Sequence, residues 1–183
     1  MSTSKLDTMI KETPNPKQAY RIEMRIENAP GPFGLVEGAA QYDVQNYEEC
    51  GEINRVAGTI SRITVSPEII WTPKGDGVYE AVVLADRMLD EDYFGRGVCR
   101  WGMTEVRAAL RATGTKGETR FVPGLLPEEI RSGQPVTWYF VHRLYPKAEL
   151  QEDFVDLGSR DISEYKPELR DSTFTVTFTR KGD

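Results

Sequence analysis

Histidine is scarce in this sequence, which limits the chemistry that its side chains can do. The one histidine, His142, lies within the apolar residues 136–145. A lone histidine in such a stretch is more typical of a hydrogen-bonded core residue than of a catalyst. One histidine also cannot build a histidine-based metal centre.

Three common catalytic or nucleotide-binding motifs are missing. The sequence contains no G-x-S-x-G nucleophile elbow and no P-loop. Gly95 and Gly97 begin a dinucleotide-binding pattern, but Arg100 occupies the position of its third glycine. Together with the single histidine, these absences predict a protein without catalytic residues, metal or cofactor.

An acidic segment with adjacent aromatic residues is the most unusual local chemistry in the chain. It contains Asp86, Asp90, Glu91, Asp92, Tyr93 and Phe94. Carboxylates attract a basic partner over distance, and aromatic side chains provide large contact areas that lose water on binding. Like charges so close together also repel, and a cationic partner would relieve that repulsion. The segment therefore predicts a partner-binding loop, and a solvated acidic loop is the alternative.

The spacing of these carboxylates does not fit an EF-hand calcium loop. Asp90, Asp92 and Gly95 match its first, third and sixth positions. Phe94 and Trp101 then fall where the loop requires an oxygen ligand. A looser calcium site, or a carboxylate pair that hydrolyses a sugar, stays open. The alternative function is therefore a carboxylate- or calcium-dependent hydrolase, or a carbohydrate-binding module.

Cys50 and Cys99 are the only cysteines, and each stands beside a glycine-containing turn. A disulfide between them would close a loop of about 50 residues and stabilise the fold by roughly 4 kcal/mol. Such a bond persists only in an oxidising compartment. Two unrelated buried thiols, as in a cytosolic protein, are the alternative.

The composition argues against two classes of protein. The 183 residues include 23 Lys and Arg against 29 Asp and Glu, for a net charge of −6. Proteins that hold phosphate backbones depend on clustered basic side chains, so nucleic acid is not an expected partner. The mean hydropathy is −0.49, and no run approaches the ~20 apolar residues of a membrane helix. We therefore expect no integral membrane segment.

Alternating apolar and polar residues predict short strands separated by glycine and proline turns. The alternation is clearest in residues 20–26 and 174–179. Residues 99–113 fit both a strand and a helix, and their strand neighbours favour the strand. The expected fold is an all-β antiparallel β-sandwich with one or two short helices, spanning residues 19–183. Residues 1–18 are polar and predict a flexible N-terminal leader.

Two further loops stand out in addition to the acidic segment. Residues 28–34 are rich in glycine and proline, and we interpret them as a second, weaker contact patch. Residues 146–170 are polar and weakly patterned, and loops of that length are usually functional.

Residues 42–44 leading to Cys50, followed by residues 90–101 (DEDYFGRGVCRW), resemble small exported bacterial proteins. From about Tyr20 onward, the chain is similar to periplasmic immunity lipoproteins encoded beside antibacterial toxins of type VI secretion systems. The resemblance implies a periplasmic binding protein that blocks the active site of a cognate toxin, such as a lipase or a cell-wall hydrolase, and catalyses nothing. It also implies an export signal and a lipid-anchored cysteine upstream of residue 1.

Overall fold

The computed structural model describes residues 3–182. In chain order the strands are β1 (Ala19–Glu27), β2 (Leu35–Val44), β3 (Ile53–Asn54), β4 (Thr59–Ile60), β5 (Thr64–Val65), β6 (Thr72–Gly75), β7 (Val78–Leu84), β8 (Trp101–Arg111), β9 (Arg120–Phe121), β10 (Gly124–Leu125), β11 (Val136–Val141), β12 (Val155–Asp156) and β13 (Thr173–Arg180). The α-helices are α1 (Thr3–Met9), α2 (Tyr47–Cys50), α3 (Pro127–Ser132) and α4 (Pro167–Arg170), and 3-10 turns span His142–Leu144 and Ile162–Glu164.

Two sheets enclose the core of the molecule. The first has the strand order β11-β13-β1-β7-β6, and the second has the order β12-β9-β8-β2-β5 with β10 also paired to β8. The named pairs are antiparallel except β12 with β9. The predicted all-β sandwich is therefore confirmed. Residues 3–182 contain four short α-helices where one or two were expected: one precedes β1, and three lie between strands.

Alternation places one face of each long strand between the sheets. In β1, Ile22 and Met24 are buried, whereas Arg21 and Arg25 are exposed. The core draws on both sheets and includes Tyr42, Val83, Val106, Leu110, Phe121, Phe140, Phe174, Val176 and Phe178. Burying one side chain of this size stabilises a fold by about 1.5–3 kcal/mol, so the core holds the two sheets together.

Of the ambiguous residues 99–113, residues 101–111 form the strand β8, as favoured from the sequence. β8 pairs with β2 along its whole length, with an irregularity between Gln41 and Tyr42. Val106, Ala108 and Leu110 of β8 are buried on its inner face. Packing against a sheet therefore overrides the helix preference of the alanine and arginine residues in this stretch.

Residues 146–170 fold back over the edge of the first sheet. Ser159 and Tyr139 exchange backbone hydrogen bonds of 2.7 and 3.0 Å, which continues the pairing of β11. The Tyr165 hydroxyl donates to the Tyr139 carbonyl oxygen over 2.8 Å. The segment thus covers an edge strand that would otherwise expose unpaired backbone groups.

One carboxyl of this segment is buried with only half of its hydrogen-bonding capacity used. Asp156 Oδ1 accepts a hydrogen bond of 2.9 Å from the Gly158 N–H, whereas Oδ2 is buried without a partner. Burial raises the pKa of Asp156, and the hydrogen bond from Gly158 offsets only part of this effect. The folded protein is therefore penalised when this carboxyl carries its charge.

We expect Asp156→Asn to stabilise the fold at neutral pH by about 1 kcal/mol, because it removes a charge from a buried oxygen. Folding raises the pKa of Asp156. The cost in folding free energy therefore exists at high pH, and it vanishes as the pH falls below the pKa that this carboxyl has in the unfolded chain. The gain should therefore shrink in acid. Urea unfolding from about pH 3 to pH 7 measures it. The control is Asp171→Asn, at an exposed carboxyl. A gain that does not vary with pH would contradict the prediction.

Candidate functional site

The two cysteines form the disulfide that the sequence permitted. Cys50 and Cys99 are joined at an S–S distance of 2.06 Å, with 5.3 Å between their Cα atoms. Both are fully buried and, with Val44 and Ile63, they form a small second core. Half-buried side chains surround this core: Leu6, Ile10, Tyr47, Tyr93, Phe94 and Trp101. We call the residues around it (3–18, 45–63 and 86–101) the disulfide end.

The carboxylates of the acidic segment face donors within the molecule. Asp86 accepts hydrogen bonds from the backbone N–H groups of Lys17 and Gln18, over 2.8 and 3.0 Å. Burial raises the pKa of Asp86, but these hydrogen bonds outweigh burial, and its pKa lies below the usual value. Asp90 accepts from the N–H of Trp101 over 2.9 Å.

The other two carboxylates are also paired. Glu91 forms an ion pair of 2.9 Å with Lys11. Asp92 accepts from the backbone N–H of Arg96 over 3.1 Å. Each of these carboxylates therefore already has a donor within the molecule, and for Glu91 that donor is a cation. Asp90 and Asp92 nevertheless remain exposed to solvent.

The two aromatic residues of the segment brace the disulfide end. Tyr93 and Phe94 are half-buried against the second core. The Tyr93 ring lies edge-on to the Trp101 ring at 6.4 Å between centroids, and its hydroxyl donates to the Leu89 carbonyl oxygen. Much of their surface is therefore used inside the molecule, and less is left for a partner than the sequence suggested.

The N-terminal segment differs from the flexible leader that the sequence predicted. Lys11 and Leu89 share a backbone hydrogen bond of 2.9 Å, and the Thr13 N–H donates to the Arg87 carbonyl oxygen over 2.8 Å. Ile10 packs on both cores. Backbone groups of residues 10–18 are thus hydrogen-bonded to the acidic segment. Their partners lie some 70 positions further along the chain.

A protruding hairpin, which the sequence patterns did not predict, is the most exposed part of the disulfide end. β3 pairs with β4, and Val56 at the tip is fully exposed. The Asn54 side chain accepts from the N–H groups of Val56 and Ala57, both over 3.1 Å. Gly58 has a φ of +65°, which favours glycine. A four-residue loop that begins after Asn54 and ends with Gly58, between Ile53 and the β-prone pair Thr59–Ile60, is the signal that could have revealed it.

The base of the hairpin is fixed by three contacts. The first is the disulfide at Cys50. The second is Arg96, whose guanidinium donates to the carbonyl oxygens of Gly51 and Glu48. The third is the Gly51 N–H, which donates to the Tyr47 carbonyl oxygen over 2.7 Å. The hairpin is therefore a braced projection rather than a loose loop.

The second predicted patch lies elsewhere. β1 starts beside Leu84, near the disulfide end, and runs toward Thr175, so residues 28–34 lie at the opposite end. Their carbonyl oxygens accept from His142 Nε2 at Asn28 (2.7 Å) and from the Tyr145 hydroxyl at Pro32 (2.6 Å). The structure thus does not bring the two predicted patches together, and it places the lone histidine in a hydrogen bond.

Comparison of the chain with protein-family models, curated proteins and solved structures finds no match. Within residues 3–182, no helix is long and apolar enough to cross a membrane. In the same part of the chain, no three His, Cys, Asp or Glu side chains are grouped as metal ligands. The disulfide is consistent with an oxidising compartment.

We expect the double substitution Cys50→Ala and Cys99→Ala to destabilise the protein by about 4 kcal/mol, through the lost constraint on the unfolded chain. Denaturant unfolding with and without a reductant measures the difference, and an intact mass lower than that of the reduced chain by two hydrogen atoms confirms the bond beforehand. Reduction should lower the stability of the native chain and leave the double variant unchanged. Equal stability of the native and double-variant proteins would show that the cross-link is dispensable.

Proposed function

We propose that this protein neutralises a cognate antibacterial toxin by binding it, as the resemblance to type VI secretion immunity proteins implies. The observation that carries the proposal is the braced hairpin at the disulfide end, because a projection fixed at its tip and base can enter a concave site without a large ordering cost. The predicted contact residues Asp90 and Asp92 belong to the same end of the molecule.

The disulfide supports an extracytoplasmic location, which we propose to be the periplasm. A lipase or cell-wall hydrolase acts in that compartment, so a protector would need to be there as well. Lipid anchoring of a longer precursor belongs to the same proposal.

The hairpin tip provides the chemistry for an anchor. Val56 is fully exposed and Ile53 is 46 % exposed, and both are aliphatic. Arg55 between them is exposed and has no carboxylate within ion-pair distance in residues 3–182. Arginine is enriched among the residues that supply most of the binding energy of an interface, and the aliphatic side chains beside it add apolar area that loses water on contact.

The test uses the product of the neighbouring gene, expressed with an export signal in a sensitive bacterium. Exported wild-type chain should protect the cells and form a stable complex with the toxin on gel filtration. Failure of the exported chain to protect, with the toxin active, would remove the proposed function. Turnover of a sugar or ester by the purified chain would instead favour the hydrolase alternative.

The exposed carboxylates should accelerate binding by electrostatic attraction. We expect Asp90→Asn with Asp92→Asn to slow association with that toxin by several-fold and to weaken its salt dependence. Asparagine keeps an oxygen that can accept from the Trp101 and Arg96 N–H groups, so the loop should stay folded. Asp171→Asn, at the opposite end, is the matched control. Association rates that match wild type at low salt would remove the acidic segment from the interface.

A further inference from the structure

A cleft of about 400 Å³ lies at the side of the sandwich, and no residue of the hairpin lines it. One wall is the second half of β7, and the other is formed by residues 68–72, which connect the second sheet to the first. The connecting residues pair with β2 on their far side, since the Ile69 N–H donates to the Gly38 carbonyl oxygen over 3.1 Å. Both walls are thus held firmly by neighbouring strands.

The β7 wall is an unprotected sheet edge. Residues 81–84 of β7 pair with β1 on one side. On the other side β6 pairs with β7 only between Val78 and Glu80. In the part of the chain that the structure describes, no further strand borders residues 81–84. β6 is protected against further pairing by its short length and by Pro73 and Lys74. Residues 81–84 of β7 have no such protection.

The cleft is lined by aliphatic side chains that the fold leaves in water. Ile70 is 65 % exposed on one wall and Val82 is 56 % exposed on the other. Two large aliphatic groups facing one cleft favour a ligand with apolar side chains.

The charges at the cleft are unevenly paired. Arg21 and Lys74 share the single carboxylate of Glu80, at distances of 3.5 and 3.9 Å. These distances are longer than those of a close ion pair, and the ratio is two cations to one anion. A ligand carboxylate beside Arg21 and Lys74 would complete the pairing. Glu68 on the far wall limits this attraction to that side of the cleft.

We propose that this cleft binds an extended segment of a partner protein, which adds a strand beside residues 81–84 of β7. The segment would place aliphatic side chains against Ile70 and Val82 and an acidic side chain between Arg21 and Lys74. Backbone hydrogen bonds give affinity in this mode of recognition, and alternate side chains give specificity. The surface is separate from the hairpin, so the inference does not depend on toxin neutralisation.

The probe is a synthetic seven-residue peptide of alternating valine and glutamate, capped at both ends, and titrated into isotopically labelled protein. Amide chemical shifts should move for residues 69–72 and 81–84, with a dissociation constant in the millimolar range or below. The combined change Ile70→Ser and Val82→Thr should weaken binding by about tenfold, from the lost apolar contact. Leu157→Ser, at another aliphatic residue that is 63 % exposed, is the matched control.

Three results would overturn the inference. The first is shifts that map elsewhere, or no shifts up to the solubility limit of the peptide. The second is equal binding of a valine–lysine peptide, which would remove the role of Arg21 and Lys74. The third is concentration-dependent self-association that the Val82 change abolishes, which would assign the cleft to a second copy of this chain. The amide spectrum of each variant reports at the same time whether it is folded.

Discussion

The loops at one end of this sandwich surround a core that is too small to hold them by hydrophobic contact alone. Four buried residues, two of them the bonded cysteines, form its centre. Clusters of this size need a cross-link, a metal or a partner to stay ordered. The Cys50–Cys99 bond joins positions 49 residues apart and so fixes the hairpin to the acidic segment. The bond thus joins the two surfaces that are proposed for binding at this end.

The acidic side chains in residues 86–92 have a structural reason that their sequence does not reveal. Loop backbones leave N–H groups without strand or helix partners, and these donors need acceptors. Asp86, Asp90 and Asp92 meet that need for the N-terminal segment, for the start of β8 and for the turn at Arg96. An acidic cluster can therefore hold a loop together while part of it remains exposed. A carboxylate in this loop can serve both roles, because one of its oxygens accepts a hydrogen bond from a backbone N–H while the charged group stays in contact with water.

Local patterns in the sequence predict the long strands well and the short contacts poorly. β1 and β13 follow from the alternation of residues 20–26 and 174–179. The parallel pairing of Val155 with Arg120 and the bonds of residues 10–18 join distant parts of the chain, and neither leaves a periodic signal. The hairpin escapes prediction for another reason. Its strands have two residues each, which is too short for an alternation to be recognised.

The two surfaces of the molecule are physically connected through Arg87. Arg87 directly follows Asp86, whose carboxylate accepts from the N-terminal segment, and β7 ends three residues before Arg87. Its guanidinium binds the Glu12 carboxylate at 2.7 Å and donates to the Glu68 carbonyl oxygen over 3.0 Å. Glu12 belongs to the disulfide end and Glu68 to the wall of the side cleft. The strand that forms the other wall continues into the acidic segment. The position of that segment is therefore set both by the disulfide and by the strand edge on which the cleft is built.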